Sequence, residues 1–235
     1  MNALERDGQI GRFLFGCEES HGYLAGNYAR DKDAVTAAVW LAELAAELKK
    51  DGGTLVHYLD RIYENYGYYK NYLTEIRLLG AAGKEKIDQI QQALRSMPPS
   101  AFDRFRVERV EDCLDRTPIV SETDRSAKDM LIFHLAPVEG TEHMKVTVRP
   151  SGTEPKIKIY FEIGASAAAY DLAATKMRVD RTMRELEKAV MLACYKSIGV
   201  DFPERGFLLF WQLPLDDKLR YFEIEPKIEA LRAIK

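Results

Sequence analysis

Cysteine is scarce: Cys17, Cys113 and Cys194 are the only three in 235 residues. An odd number of widely spaced thiols excludes a disulfide framework and a cysteine zinc site, and a reducing, cytoplasmic setting is expected. Long apolar runs are also missing. Nothing approaches the roughly 20 apolar residues of a membrane span, and the opening MNALERDGQIGRFLF contains no long apolar core of an export signal. There is no excess of positive charge, with 34 Lys and Arg against 37 Asp and Glu for a formal net charge of −3. Nucleic acid normally demands a basic face, so that partner class is excluded, and any bound anion has to be gripped locally. Neither an internal repeat nor a low-complexity segment occurs. What is present, 46% hydrophobic and 30% charged residues, is ordinary for a soluble globular protein with a real core.

The pattern along the chain predicts two structured regions and a tail. Alternating Phe13 and Phe15 suggest a strand over 12–17, followed by a polar, glycine-bearing loop over 18–32. Asp33 is suited to cap a helix running to Lys49, with Asp51, Gly52 and Gly53 closing it. Thr54 caps a second helix whose Leu55, Leu59 and Ile62 share one face, and Gly67 ends it. Tyrosines crowd at 63, 66, 68, 69 and 72, where a ring that buries apolar area with a wet hydroxyl suits a wedge between two domains. Beyond them, alternation predicts a strand over 72–79, glycines at 80 and 83 read as punctuation, and 85–97 reads as a helix with Ile87, Ile90 and Leu94 inward. Strands are expected at 105–110, 130–135, 144–149 and 156–163, then a helix over 167–195. That order implies an α+β domain with an antiparallel sheet and helices on one face. The tail over 198–235 reads as a hairpin followed by a short helix.

The most informative stretch is RPSGTEP at 149–155, which leads at once into KIKIYFEI. In 144–148 the apolar Met144, Val146 and Val148 share one side, leaving Lys145, Thr147 and Arg149 on the other. In the next strand Ile157, Ile159, Phe161 and Ile163 form the apolar set, so Lys156, Lys158 and Tyr160 face away from it. A hairpin across this turn brings Arg149 and Lys158 to one polar side. Arginine supplies a bidentate fork, Ser151 and Thr153 supply hydroxyls, and Gly152 lets backbone amides come close, which together suit a phosphate. A polar turn in which Arg149 pairs with Glu154 or Glu162 fits the same local chemistry.

A second constellation is FGCEESHGYL at 15–24. A carboxylate accepts two hydroxyl protons, so Glu18 with Ser20 beside it suits the vicinal hydroxyls of a sugar. Acidic residues in a loop after a strand also serve as solvated groups or helix caps.

RPSGTEP with its following strand resembles the phosphate-binding loop in the last domain of the α-D-phosphohexomutase superfamily, the phosphoglucomutases and phosphomannomutases. The resemblance implies phosphate contacts from Arg149, Ser151, Gly152 and Thr153, with Lys158 at a position where some members carry a further basic residue. FGCEESHGYL resembles the family's sugar-binding loop, which implies sugar contacts from Glu18 and Ser20. Its double glutamate is the version of phosphoglucomutases, although His21 and Gly22 stand in the reverse of the phosphomannomutase order. Lys32 resembles a lysine that phosphoglucomutases direct toward substrate. The family exchanges phosphate between a phosphoserine and the sugar through a bisphosphorylated intermediate, using magnesium. Neither the phosphoserine loop nor the three-aspartate magnesium loop occurs in this chain, so no metal ligand or catalytic residue is assigned to it.

The resemblance therefore implies the C-terminal portion of a mutase. Its organisation would be an α/β remnant of the third domain over residues 1–68, the α+β phosphate-binding fourth domain over 69–196, and an extension over 197–235. The implied cofactors are magnesium and a sugar bisphosphate, and the implied partners are a phosphosugar, with glucose favoured, and the family's N-terminal domains. The alternative from another class is a noncatalytic phosphosugar-binding or regulatory module that pairs with a separate catalytic chain.

Overall fold

The computed structural model describes residues 2–18, 22–29, 32–115, 128–152, 154–167, 171–209 and 213–232. They fall into two units, Met1–Ile62 and Tyr63–Lys235.

In the first unit a short helix α1 (Asn2–Arg6) precedes a hairpin of β1 (Phe15–Glu18) and β2 (Gly22–Ala25), followed by helices α2 (Ala34–Lys50) and α3 (Leu55–Tyr66). The strand expected over 12–17 starts late. Ile10–Arg12 closes a tight 3-10 turn instead, with the Arg12 amide donating to the Gln9 carbonyl at 2.9 Å and Phe13 to Ile10 at 3.0 Å. The loop expected over 18–32 likewise contains β2, paired antiparallel from Phe15 opposite Ala25 to Glu18 opposite Gly22. Four residues of two-stranded pairing give too short an alternation to be read from sequence. The helix starts were legible: the Asp33 carboxylate accepts from the Val35 amide at 2.8 Å, and Thr54 Oγ1 accepts from the His57 amide at 3.2 Å.

The second unit holds β3 (Tyr68–Arg77), α4 (Gly80–Ser96), β4 (Ala101–Phe102), β5 (Phe105–Asp112), β6 (Leu131–Leu135), β7 (His143–Pro150), β8 (Lys156–Ala165), α5 (Leu172–Ser197) and α6 (Leu215–Arg232). The sheet runs β3-β8-β7-β6-β5-β4 with every neighbouring pair antiparallel. Period-2 alternation buries Leu131, Phe133 and Leu135 of β6, Met144, Val146 and Val148 of β7, and Ile157, Ile159, Phe161 and Ile163 of β8. They meet the apolar stripes of the two packed helices, Ile87, Ile90 and Leu94 of α4 and Val179, Met183, Leu186 and Val190 of α5. The α+β expectation, with helices against one face of an antiparallel sheet, describes this unit.

Several boundaries differ from the sequence reading. β3 begins at Tyr68, four residues before the expected strand, because all ten of its residues pair with β8 from Tyr68 opposite Ala165 to Arg77 opposite Lys156. Its N-terminal end lacks the alternation that marks a strand. Gly80 and Gly83 do not interrupt the chain; they lie in the first turn of α4. A Cβ on Gly83 would sit 2.8 Å from the Leu78 Cβ and 2.9 Å from its carbonyl carbon, so the missing side chain is what lets the helix turn back over the strand end. The tyrosine cluster splits: Tyr68 is buried edge-on against Tyr63 with centroids 4.9 Å apart, and Lys176 lies 5.1 Å above the Tyr63 ring, whereas Tyr66 and Tyr69 are exposed. The helix expected from 167 starts at Leu172.

The tail is helical where described, not a hairpin, with a 3-10 turn at Glu204–Leu208 before α6. It is part of the same core. Phe202 packs on Tyr195 with centroids 4.6 Å apart and on Phe207 at 5.2 Å, and Leu215 is buried. Lys218 is buried near Glu187; burial pulls the lysine below its ordinary pKa and pushes the glutamate above its own, while Thr74 and Tyr72 hydrogen-bond the carboxylate. All three cysteines are free thiols, and burial pushes Cys194 up to about 12, which makes it a packing residue rather than a nucleophile.

Phe133 anchors the middle of the sheet, fully buried and edge-on to Phe102 at 5.2 Å. Phe133→Ala is expected to cost about 3–5 kcal/mol, as in other phenylalanine truncations in cores, measured by urea unfolding of the 235-residue chain.

Candidate functional site

The β7–β8 hairpin places Arg149 directly opposite Lys158, with Thr147 opposite Tyr160 and Lys145 opposite Glu162. All six side chains lie on the face turned away from the helices and stay partly exposed, between fully buried neighbours. Turn residues 151–155 close the hairpin: the Ser151 amide donates to the Lys156 carbonyl at 2.9 Å, and Ser151 Oγ accepts from the Glu154 amide at 3.3 Å. Gly152 is exposed at the tip. Thr153 lies outside the described residues. The Leu78 amide also donates to the Pro155 carbonyl at 3.0 Å, which ties the turn to the end of β3.

The carboxylates that a polar turn would offer to Arg149 are engaged elsewhere. Glu154 pairs with Lys156, whose hydrogen bond holds its carboxyl below the usual range. Glu162 contacts His143 at 2.5 Å and Lys145 at 3.2 Å. Among the described residues Arg149 takes part in no ion pair. A guanidinium on an open face, beside a second cation and a glycine-bearing turn, is an anion-binding arrangement.

Two further residues belong to this neighbourhood and were not singled out from the sequence. Glu75 of β3 stands opposite Lys158 and is only 5% exposed; it pairs with Arg77 and lies 3.8 Å from Lys156. Three strands thus form a row of Glu75, Lys158 and Arg149, flanked by Arg77 opposite Lys156. Nothing local to 68–77 marks this, because the β3–β8 pairing joins residues some eighty positions apart along the chain.

In the first unit Glu18 ends β1 opposite Gly22. Its side chain, and all of Ser20 and His21, lie outside the described residues. Lys32 is exposed immediately before the cap of α2. That cap is elaborate: the Asp33 carboxylate accepts from Thr36 Oγ1 at 2.6 Å, from the Val35 amide and from the Tyr28 hydroxyl, while the Asp33 amide donates to the Tyr23 carbonyl of β2 at 2.6 Å. The hydrogen bond from Thr36, followed by that from Tyr28, holds the Asp33 carboxyl below its usual pKa, and the bond to Asp33 holds the Tyr28 phenol above its own. The cap therefore pins the end of the hairpin to the start of α2, with Lys32 between them.

Comparison with known proteins gives the class. The family model described as phosphoglucomutase/phosphomannomutase, alpha/beta/alpha domain III, matches residues 1–66, and that of the phosphoglucomutase/phosphomannomutase C-terminal domain matches 119–179. Together they take in more than half of the chain. The phosphoglucomutases of Staphylococcus aureus strains MRSA252 and bovine RF122 / ET3-1 are each 35% identical over 156 residues, covering 64% of this chain and 27% of their own. A solved structure of the exocytosis-sensitive phosphoprotein pp63/parafusin, a phosphoglucomutase from Paramecium in its open form, covers 86% of this chain and 34% of that one, with a TM-score of 0.48 and 16% identity. The chain belongs to the phosphoglucomutase/phosphomannomutase family, with an α/β portion of the third domain followed by the fourth. It spans about a quarter of the length of the curated relatives it matches.

Because folding lowers the Asp33 pKa, the stability that its charge confers is present above the unfolded carboxylate value and is lost as pH falls through the lower folded value. Asp33→Ala is expected to reduce helicity and melting temperature at neutral pH, with the difference from the unmutated chain shrinking as pH falls below the ordinary carboxylate range, as followed by circular dichroism.

Proposed function

We propose that this chain supplies the sugar- and phosphate-gripping end of a phosphosugar mutase that interconverts hexose 1-phosphate and 6-phosphate, with glucose as the favoured sugar. The observation that carries this reading is Arg149, without an ion-pair partner among the described residues and opposite Lys158 at the RPSGTEP turn. In this reading Arg149, Ser151, Gly152, Thr153 and Lys158 hold the phosphate that is not reacting. Glu18, Ser20 and Lys32 hold the sugar. Gripping the far phosphate while recognising hydroxyls that serve either orientation lets one site bind both isomers of the substrate.

The reacting phosphoryl group would be handled outside this chain. In this reading the magnesium and phosphoserine loops, and the bisphosphorylated intermediate they act on, belong to mutase domains that work with this one. An unsatisfied surface supports the need for such a partner. Helix α2 has seventeen mostly apolar residues and buries none of them, and Phe15, Trp40, Leu41, Val35 and Val39 are all exposed. Residues 1–68 in this reading form part of the sugar-binding domain, 69–196 form the phosphate-binding domain, and 197–235 form an extension packed on the latter. The setting proposed is cytoplasmic.

Titration calorimetry of the 235-residue chain with glucose 6-phosphate tests this. Arg149→Ala is expected to weaken binding roughly tenfold or more, as loss of a charge-assisted hydrogen bond implies. Unchanged binding would overturn the clamp. The chain alone, given sugar bisphosphate and magnesium, is expected to show no mutase turnover; detectable turnover would show that the chemistry is not supplied from outside.

A further inference from the structure

Glu75 is a buried carboxylate set inside a cluster of cations at an anion site. It stands opposite Lys158, which stands opposite Arg149, so it shares one row of the open face with the two residues assigned to phosphate. It is 5% exposed, it pairs with Arg77, and it lies 3.8 Å from Lys156, which also pairs with Glu154 at the turn. Four cations, Arg77, Arg149, Lys156 and Lys158, therefore surround the mouth of the hairpin, and two carboxylates divide them. Arg77 and Lys156 are held by Glu75 and Glu154, whereas Arg149 is left for a ligand. A site made only to bind phosphate tightly gains nothing from a buried negative charge one strand away, because at short range in a low-dielectric setting that charge repels the ligand. A site that must release and re-grip its ligand does gain from it.

We propose that Glu75 sets the affinity of the phosphate clamp, its carboxylate cancelling part of the cationic field so that a bound phosphate is held weakly enough to leave. This rests on the clamp reading of Arg149. In this arrangement Arg77 and Lys156 act as a charge reserve kept on Glu75 and Glu154, and Arg149 and Lys158 form the part that engages the ligand. No bond is made or broken at Glu75; its effect is electrostatic and reaches the ligand through space.

The test is titration of the 235-residue chain with inorganic phosphate and with glucose 6-phosphate, at low salt and at roughly 0.5 M salt, where screening acts within a few ångströms. Glu75→Gln is expected to tighten both ligands about three- to tenfold at low salt, with the gain shrinking at high salt. Glu75→Asp keeps the charge while shortening the side chain, and is expected to leave affinity within about twofold. A carboxylate that merely positions Lys156 and Arg77 would instead make Glu75→Asp bind more weakly, and that result overturns the inference even if Glu75→Gln does not fold. Weaker or unchanged binding by folded Glu75→Gln overturns it as well. When either result comes with loss of binding in Arg149→Ala, the clamp reading stands and only the role of Glu75 falls. No phosphate binding by the unmutated chain, or undiminished binding by Arg149→Ala, overturns the clamp and the inference together.

Discussion

The second unit depends on one constraint: the β7–β8 hairpin must be dry on one face and wet on the other. Val148 opposite Ile159 and Val146 opposite Phe161 are fully buried under α4 and α5, while the alternating partners Arg149 and Lys158 stay in contact with solvent. A one-residue slip of β7 would drive Lys145, Thr147 and Arg149 toward the helices and expose Met144, Val146 and Val148. Burial of the apolar face therefore fixes the geometry of the polar face. Register alone thus sets Arg149 beside Lys158 on the wet face.

The same logic explains which parts of the molecule could be read from its residues. Strand parity in 144–163 placed Arg149 and Lys158 side by side because period-2 burial is local and strong there. Helix starts at Asp33 and Thr54 were legible because a cap is a single side chain acting within three residues. Glu75 was not, since its significance comes from β3 pairing along its whole length with a strand far away in sequence. Gly83 misled for a related reason. Glycine ordinarily interrupts a helix, yet here it is required by the close approach of Leu78, a tertiary demand that overrides propensity.

The tail shows a third kind of failure. Its aromatic and proline-bearing sequence suggested a hairpin, but Phe202 packs onto Tyr195 at the end of α5, Phe207 packs edge-on to Phe202, and Leu215 and Lys218 are buried with the domain. Alternation over a few residues cannot separate a strand from a segment that lays single anchors onto a helix. Lys218 of this segment is buried beside the half-buried Glu187, whose carboxylate Tyr72 and Thr74 hydrogen-bond, so the tail contributes a charged group as well as apolar anchors.

Charge distribution joins the fold to the proposed chemistry. The chain is net acidic, so no long-range field draws an anionic sugar phosphate to it, and attraction arises only within a Debye length of the hairpin mouth. Within that distance four cations and two carboxylates are arranged so that half of the positive charge is matched by Glu75 and Glu154. In the proposed reading such a site selects by geometry more than by net attraction: a ligand has to present its phosphate to the Arg149 fork to gain what the matched pairs do not offer. For a reaction in which an intermediate must turn end for end between two transfers, a grip that is specific in position and moderate in strength meets the requirement better than the tightest clamp these residues could form.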